Sequence, residues 1–70
     1  MPETLWSRLN DGTYVTEMSE FMRTPKHPVS GDTLGEGELK RAMTPHIADG
    51  ELKWWYGSLD DGTRLLIYND

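Results

Sequence analysis

Apolar and polar positions follow a strand-like pattern between residues 52 and 68, LKWWYGSLDDGTRLLIY, where two aromatic-rich runs flank Asp60-Asp61-Gly62. Such an arrangement is typical of a β-hairpin. Gly adopts the positive φ of a tight reversal, and the Asp side chain accepts backbone hydrogen bonds. The pattern predicts a hairpin over residues 52–68, with a three-residue loop closed by Gly62.

This loop length also predicts which side chains share a face. It sets Trp54 opposite Tyr68 and Trp55 opposite Ile67. Successive strand residues point to opposite faces, so Trp54 and Trp55 cannot enter one core. One face then carries Trp54, Tyr56, Leu66 and Tyr68, and the other carries Trp55, Leu65 and Ile67. A two-residue turn would shift the pairing by one residue and redistribute these side chains.

Residues 5–18, LWSRLNDGTYVTEM, contain a shorter version of the same pattern. Shifted by fifty positions, the two stretches share four identities, which are Leu9, Asp11, Gly12 and Thr13 against Leu59, Asp61, Gly62 and Thr63. The same turn chemistry selects the same residues twice. A second hairpin over residues 5–18 is therefore predicted. An isolated hairpin is marginal in water, so we expect the two to share one sheet.

The segment between the hairpins has helical and loop signals. Residues 16–23 could continue a strand or form a short helix, and the spacing of Met18, Phe21 and Met22 favours a helical turn. Residues 24–37, TPKHPVSGDTLGEG, contain two Pro and three Gly, which predicts a loop.

Residues 38–49 are predicted to be a helical segment. Leu39, Met43 and Ile47 recur at four-residue spacing, and Pro45 ends the first part. Thr44 can cap a second short turn that has Pro45 at its first position and ends before a Gly.

These elements predict one small α+β domain over residues 1–70. In it, two antiparallel β-hairpins form a small sheet with a short helical segment packed on it. The alternative is a small SH3-like, partly open β-barrel with one helix. Trp54-Trp55-x-Gly57-x-Leu59, followed by Gly62, resembles the central strand and distal turn of SH3 domains. This resemblance implies a five-stranded barrel in which Trp54 lines a groove for proline-rich peptides. The family's Ala-Leu-Tyr-Asp opening, its second Gly and its closing Pro are missing here.

Composition excludes several classes of function. Twelve Asp and Glu against seven Lys and Arg give a formal charge of −5, which disfavours general binding to phosphate backbones. The absence of Cys excludes disulfides and thiolate metal sites. No apolar run approaches the roughly 18 residues of a membrane span, and the N-terminus lacks a basic stretch followed by an apolar run. We therefore expect a soluble, cytoplasmic protein.

The candidate catalytic and metal-binding residues are few. His27 lies near Ser30 and Asp32, and His46 lies three residues before Asp49. Such proximity is common in a polar chain, whereas acid–base catalysis needs positioned partners. The Asp-Gly turns lack the spacing of calcium loops. We expect no catalytic residue, no metal and no cofactor.

Binding to another protein is the function that the sequence favours. Rigid aromatic side chains dominate interface hot spots, and carboxylates speed encounter with basic surfaces. We predict a non-enzymatic interaction module or small inhibitor that binds a partner with a basic surface. The predicted partner-binding residues are Trp54, Trp55, Tyr56, Asp60, Asp61 and Tyr68.

Two alternative functions stay open. The first is an acidic nucleic-acid mimic that inhibits a nucleic-acid-processing enzyme, as phage antagonists of the anti-CRISPR or anti-restriction type do. It requires rows of carboxylates on one face. The second is a winged-helix DNA-binding protein, which would use Lys40, Arg41 and Arg64.

Overall fold

The computed structural model describes residues 6–69 of the chain. The elements are β1 (Ser7–Arg8), β2 (Tyr14–Glu17), α1 (Met18–Arg23), α2 (Glu36–Ala42), β3 (Met43–Ala48), β4 (Glu51–Ser58) and β5 (Arg64–Tyr68). The strands form one sheet in the order β1-β2-β5-β4-β3, with β2 parallel to β5 and every other pair antiparallel. None of the helices in this part of the chain has the length and apolar character to cross a membrane.

The sheet is open in the described part of the chain, with β1 and β3 at its edges. The predicted α+β fold, in which hairpins form a small sheet with helical structure packed on it, is confirmed. The alternative of an SH3-like, partly open barrel with one helix differs from the structure, because the described residues form an open sheet with two helices. The first hairpin instead joins the last one through the parallel β2–β5 pair.

The β4–β5 hairpin has the predicted register. Trp54 pairs with Tyr68, Trp55 with Ile67 and Tyr56 with Leu66. Its loop is closed by two backbone bonds. The Leu59 amide donates to the Thr63 carbonyl at 2.8 Å, and the Gly62 amide donates to the Leu59 carbonyl at 2.9 Å. Gly62 has a φ of 89°, as the turn chemistry requires.

The turn of the first hairpin makes the same two backbone hydrogen bonds. Leu9 and Thr13 are joined at 2.8 Å, and Gly12, with a φ of 91°, donates to the Leu9 carbonyl at 2.9 Å. Because β2 runs parallel to β5, the two turns lie at the same end of the sheet. The predicted hairpin over residues 5–18 is confirmed for strands β1 and β2, while Leu5 lies outside the described residues.

The predicted helical segment over residues 38–49 is wrong in its second half. α2 ends at Ala42, and residues 43–48 form edge strand β3. Asp49 and Gly50, with φ values of 55° and 75°, make the tight turn into β4 that an Asp-Gly pair favours. An edge strand tolerates Pro45, because no neighbouring strand lies on its outer side to accept a hydrogen bond from a backbone N–H. The predicted loop over residues 24–37 holds only up to Gly35, because α2 begins at Glu36.

Among residues 6–69, the helices and the long loop cover one face of the sheet. The buried core side chains are Phe21 from α1, Leu34 from the loop, Leu59 from the turn, and Leu65 and Ile67 from β5. Both helices and the loop contribute to this cluster on the Leu65–Ile67 face. The helix predicted within residues 16–23 is confirmed as α1. The elements described here leave the opposite face of the sheet without this cover.

Candidate partner-binding face

The uncovered side of the sheet carries large aromatic side chains, and we call it the open face. Trp54 and Tyr68 are each 37% exposed, and Tyr56 is 46% exposed. They share this face because Trp54 pairs with Tyr68 and Tyr56 lies two residues along β4 from Trp54. Monomeric soluble proteins rarely expose contiguous apolar patches larger than a few hundred Å², so this cluster makes the open face a candidate contact surface.

One row of side chains crosses four strands of the open face. The strand registers place its members in the order His46, Trp54, Tyr68 and Glu17. The His46 ring is stacked on the Trp54 ring, with centroids 4.1 Å apart and planes 9° from parallel. The row thus has an aromatic centre, an imidazole at one end and a carboxylate at the other. We call it the aromatic row.

A second row lies beside it, nearer to the twin turns. Its members, from β3 to β1, are Thr44, Tyr56, Leu66, Val15 and Ser7. Tyr56, Leu66 and Val15 form an apolar centre between two hydroxyl side chains. An apolar centre within a polar rim is the usual anatomy of a protein interface.

Trp55 lies on the other side of the sheet. It packs against the hydrophobic core and lines a cleft of about 490 Å³, together with Phe21, Leu39 and Met43. The structure therefore separates the two adjacent indoles, as the alternation along a strand requires. Trp54 belongs to the open face and Trp55 to the core side.

The acidic turn residues are engaged within the chain. The Asp60 carboxylate accepts a hydrogen bond from the Arg41 guanidinium at 3.2 Å. Asp61 accepts one from the Thr63 amide at 2.9 Å and lies 2.9 Å from Nε2 of His27. Hydrogen bonds from the Thr63 amide and hydroxyl, and then from His27, lower the pKa of Asp61 to about 2.

His27 holds the long loop against the second hairpin. Its Nδ1 accepts hydrogen bonds from the amides of Val29 at 3.1 Å and Ser30 at 3.2 Å. Nδ1 is therefore unprotonated, and Nε2–H donates to Asp61. Both ring nitrogens are occupied, and the ring is nearly buried, with its side chain 11% exposed. A histidine bonded in this way has no lone pair ready to abstract a proton from a substrate.

Other charged side chains also pair within the chain. Arg23 pairs with Glu20 at 3.7 Å, Lys40 with Glu36 at 3.8 Å, and Lys53 with Glu51 at 3.2 Å. Within residues 6–69, no group of three or more His, Asp and Glu side chains is arranged to hold a metal ion.

Sequence reasoning missed the two ends of the aromatic row. It placed His46 in a helical segment and gave Glu17 no role, whereas pairing puts both on the open face. The Asp49-Gly50 pair was the available signal for His46, because it is the favoured dipeptide of a tight hairpin turn. No local signal identifies Glu17, since its position depends on the parallel β2–β5 pairing.

No protein-family model, curated protein or solved structure matches this chain. The function is argued below from the residues of the open face.

Proposed function

We propose that this protein is a non-enzymatic interaction module that binds a protein surface through the open face. One observation carries the proposal. Trp54, Tyr56 and Tyr68 remain exposed together on one face of a sheet whose other face is covered by helices. Leaving these rings in water forgoes burial worth about 2 kcal/mol for a large apolar side chain, which binding would recover.

The geometry of the open face favours tight binding. Its aromatic side chains project from hydrogen-bonded strands, so their backbone is ordered before a partner arrives and little conformational entropy is lost on association. Trp and Tyr are the residue types most enriched among interface hot spots. Glu17 and His46 at the two ends of the aromatic row would fix the orientation of the bound surface.

The proposal assigns different roles to the six residues predicted from the sequence. Trp54, Tyr56 and Tyr68 contact the partner. Trp55 packs in the core, and the turn carboxylates Asp60 and Asp61 hold Arg41 and His27. The expectation of a basic partner depended on free turn carboxylates, and it stays a prediction.

The two alternative functions gain no support from the described residues. A nucleic-acid mimic needs rows of unpaired carboxylates, whereas Glu20, Glu36, Glu51 and Asp60 each pair with a cation of the same chain. A winged-helix protein reads DNA with a recognition helix in the major groove. Here α2 has seven residues and its Arg41 is paired with Asp60. Both alternatives stay predictions.

Affinity capture from the native cells tests the proposal. The wild-type protein is compared with the double variant Trp54→Ala/Tyr56→Ala, and with Val29→Ala as the matched control. Val29 is 68% exposed in the loop. The control substitution therefore removes exposed apolar surface at a site away from the open face. Circular dichroism verifies that each variant is folded.

We expect the double variant to lose a protein that the wild type and Val29→Ala both retain. Since a hot-spot aromatic contributes about 2 kcal/mol or more, each substitution should weaken binding at least roughly thirtyfold. Equal capture by all three proteins would contradict the proposal.

A further inference from the structure

We propose that the partner of the open face is a second copy of this chain. Two copies pack face to face about a two-fold axis that lies between the sheets and runs parallel to the strands, between β4 and β5. This inference depends on the proposed function, because it names the surface that the open face binds. Closed two-fold dimers are the commonest protein assemblies, and they require a surface that complements itself.

The order of side chains in the aromatic row provides that complementarity. The row reads His46, Trp54, Tyr68, Glu17 across the sheet. The two-fold axis reverses this order in the second copy. His46 then faces Glu17 of the second copy, and Trp54 faces Tyr68 of the second copy.

Each of these pairings is chemically favourable. An imidazole N–H donates to a carboxylate whether or not the ring is charged. Aromatic side chains across an interface gain about 1 kcal/mol beyond the area that they bury. Symmetry makes each pairing occur twice in the dimer.

The second row obeys the same reversal. Tyr56 faces Leu66 of the second copy, and Thr44 faces Val15 of the second copy. The apolar pair Tyr56 and Leu66 therefore meets the same pair of the second copy, while Val15 lies against the Thr44 side chain. Two sheets packed in this way form a sandwich with a separation of about 10 Å, in which side chains from the two faces interdigitate.

Within one chain, His46 and Glu17 are too far apart to interact. They are separated by three strand spacings, or about 14 Å, which exceeds the screening length of about 8 Å at physiological ionic strength. In the symmetric dimer, by contrast, each His46 faces Glu17 of the second copy.

The contacts of Trp54 disfavour a flat ligand such as a nucleobase. A stacked base needs a free ring face, and the His46 ring at 4.1 Å removes one of the two faces of the Trp54 indole. A protein of another kind is an outcome that the experiment below distinguishes.

Sedimentation equilibrium on the purified full chain tests the dimer across a range of protein concentrations. The variants are Glu17→Arg and His46→Glu. In a dimer of Glu17→Arg, each Arg faces His46. In a dimer of His46→Glu, each introduced Glu faces Glu17. Each variant alone should therefore dimerise at least roughly tenfold more weakly than the wild type.

Mixing the two variants in equal amounts gives the sharper result. In the mixed dimer, the introduced Arg faces the introduced Glu at one end, and native His46 faces native Glu17 at the other. We expect the mixture to recover most of the affinity that each variant lost alone. Glu20→Arg, which makes the same change in charge on α1, should dimerise like the wild type.

Three results would overturn the inference. They are a monomeric wild type at every concentration, a dimer that neither single variant weakens, or a mixture without recovery. Failure of the dimer is distinguishable from failure of the proposed function. A monomeric chain that still loses a captured protein in Trp54→Ala/Tyr56→Ala would keep the open face as a binding surface for a protein of another kind.

Discussion

Gly57 lies directly against the carbonyl group of Ala42, at the point where α2 passes into β3. A Cβ placed on Gly57 would overlap with the Ala42 carbonyl oxygen and crowd the Cα atom of Met43. Gly57 and Met43 are cross-strand partners, so the helix can pass into the edge strand only if β4 has no side chain at this position. Glycine is required here by close backbone approach rather than by an unusual φ.

Gly57→Ala should destabilise the protein by about 3 kcal/mol, because the new methyl group meets backbone that cannot move aside easily. The matched control is Gly37→Ala in α2, where a Cβ meets only a distant atom of the flexible Arg41 side chain. That substitution should stabilise the protein by about 0.5–1 kcal/mol through helix propensity. Urea denaturation measures both effects, and an equal response of the two variants would contradict the packing described here.

The adjacent indoles should respond differently to truncation. Trp55→Ala removes a side chain that packs on the core and should cost about 3 kcal/mol. Trp54→Ala removes an exposed ring that stacks on His46 and belongs to the cross-strand partner of Tyr68, and should cost about 1 kcal/mol or less in the monomer. Urea denaturation at a concentration where the chain is monomeric compares the two. A larger loss in Trp54→Ala would show that the faces are assigned the wrong way round.

The last hairpin was predictable because its determinants are local. Asp61-Gly62 fixed the loop, the loop fixed the register, and the strand period then separated Trp54 from Trp55. The sequence could not indicate which indole faces the core. That choice depends on which side α1, α2 and the loop cover, and this packing is a long-range property.

Edge strand β3 was missed because two local signals compete over the same residues. Thr44-Pro45 followed by Gly50 satisfies the rules for a helix start and stop, while Asp49-Gly50 equally favours a hairpin turn. Pairing with β4 decides in favour of the strand. The parallel β2–β5 pair also could not be predicted from the sequence. It joins segments about fifty residues apart, and nothing local encodes such a pairing.

Asp61 should make stability depend on pH in the acid range. Its folded-state pKa of about 2 lies below the unfolded value of about 3.9, so its contribution is present above pH 4 and is lost as the pH falls towards 2. Thermal unfolding of Asp61→Asn should therefore show a smaller loss between these values than the wild type.

Asp11 has a lowered pKa for the same main reason, a hydrogen bond from the Thr13 amide. Asp61→Asn should therefore keep part of the acid dependence, and the double variant with Asp11→Asn should reduce it further. Asp32→Asn controls for the change in net charge. An acid dependence in Asp61→Asn identical to that of the wild type would contradict this assignment.

His27→Ala should release the loop from the second hairpin. The substitution removes the acceptor of the Val29 and Ser30 amides and the donor to Asp61, which should cost about 1–2 kcal/mol. Hydrogen exchange at the Val29 and Ser30 amides should become faster than in the wild type. Lys26→Ala changes an exposed neighbour and is the control. Unchanged exchange at these amides in His27→Ala would show that the imidazole does not hold the loop.

The position of β5 has a consequence for how the molecule assembles during synthesis. β5 occupies the centre of the sheet, yet the ribosome makes it after the other four strands. Until β5 is made, the β1–β2 hairpin and the β3–β4 hairpin have no strand between them. Strands β2 and β4 then each have unpaired backbone groups on the side that β5 will occupy. Unpaired strand edges of this kind favour aggregation. The two hairpins can be joined into one sheet only after β5 has been made.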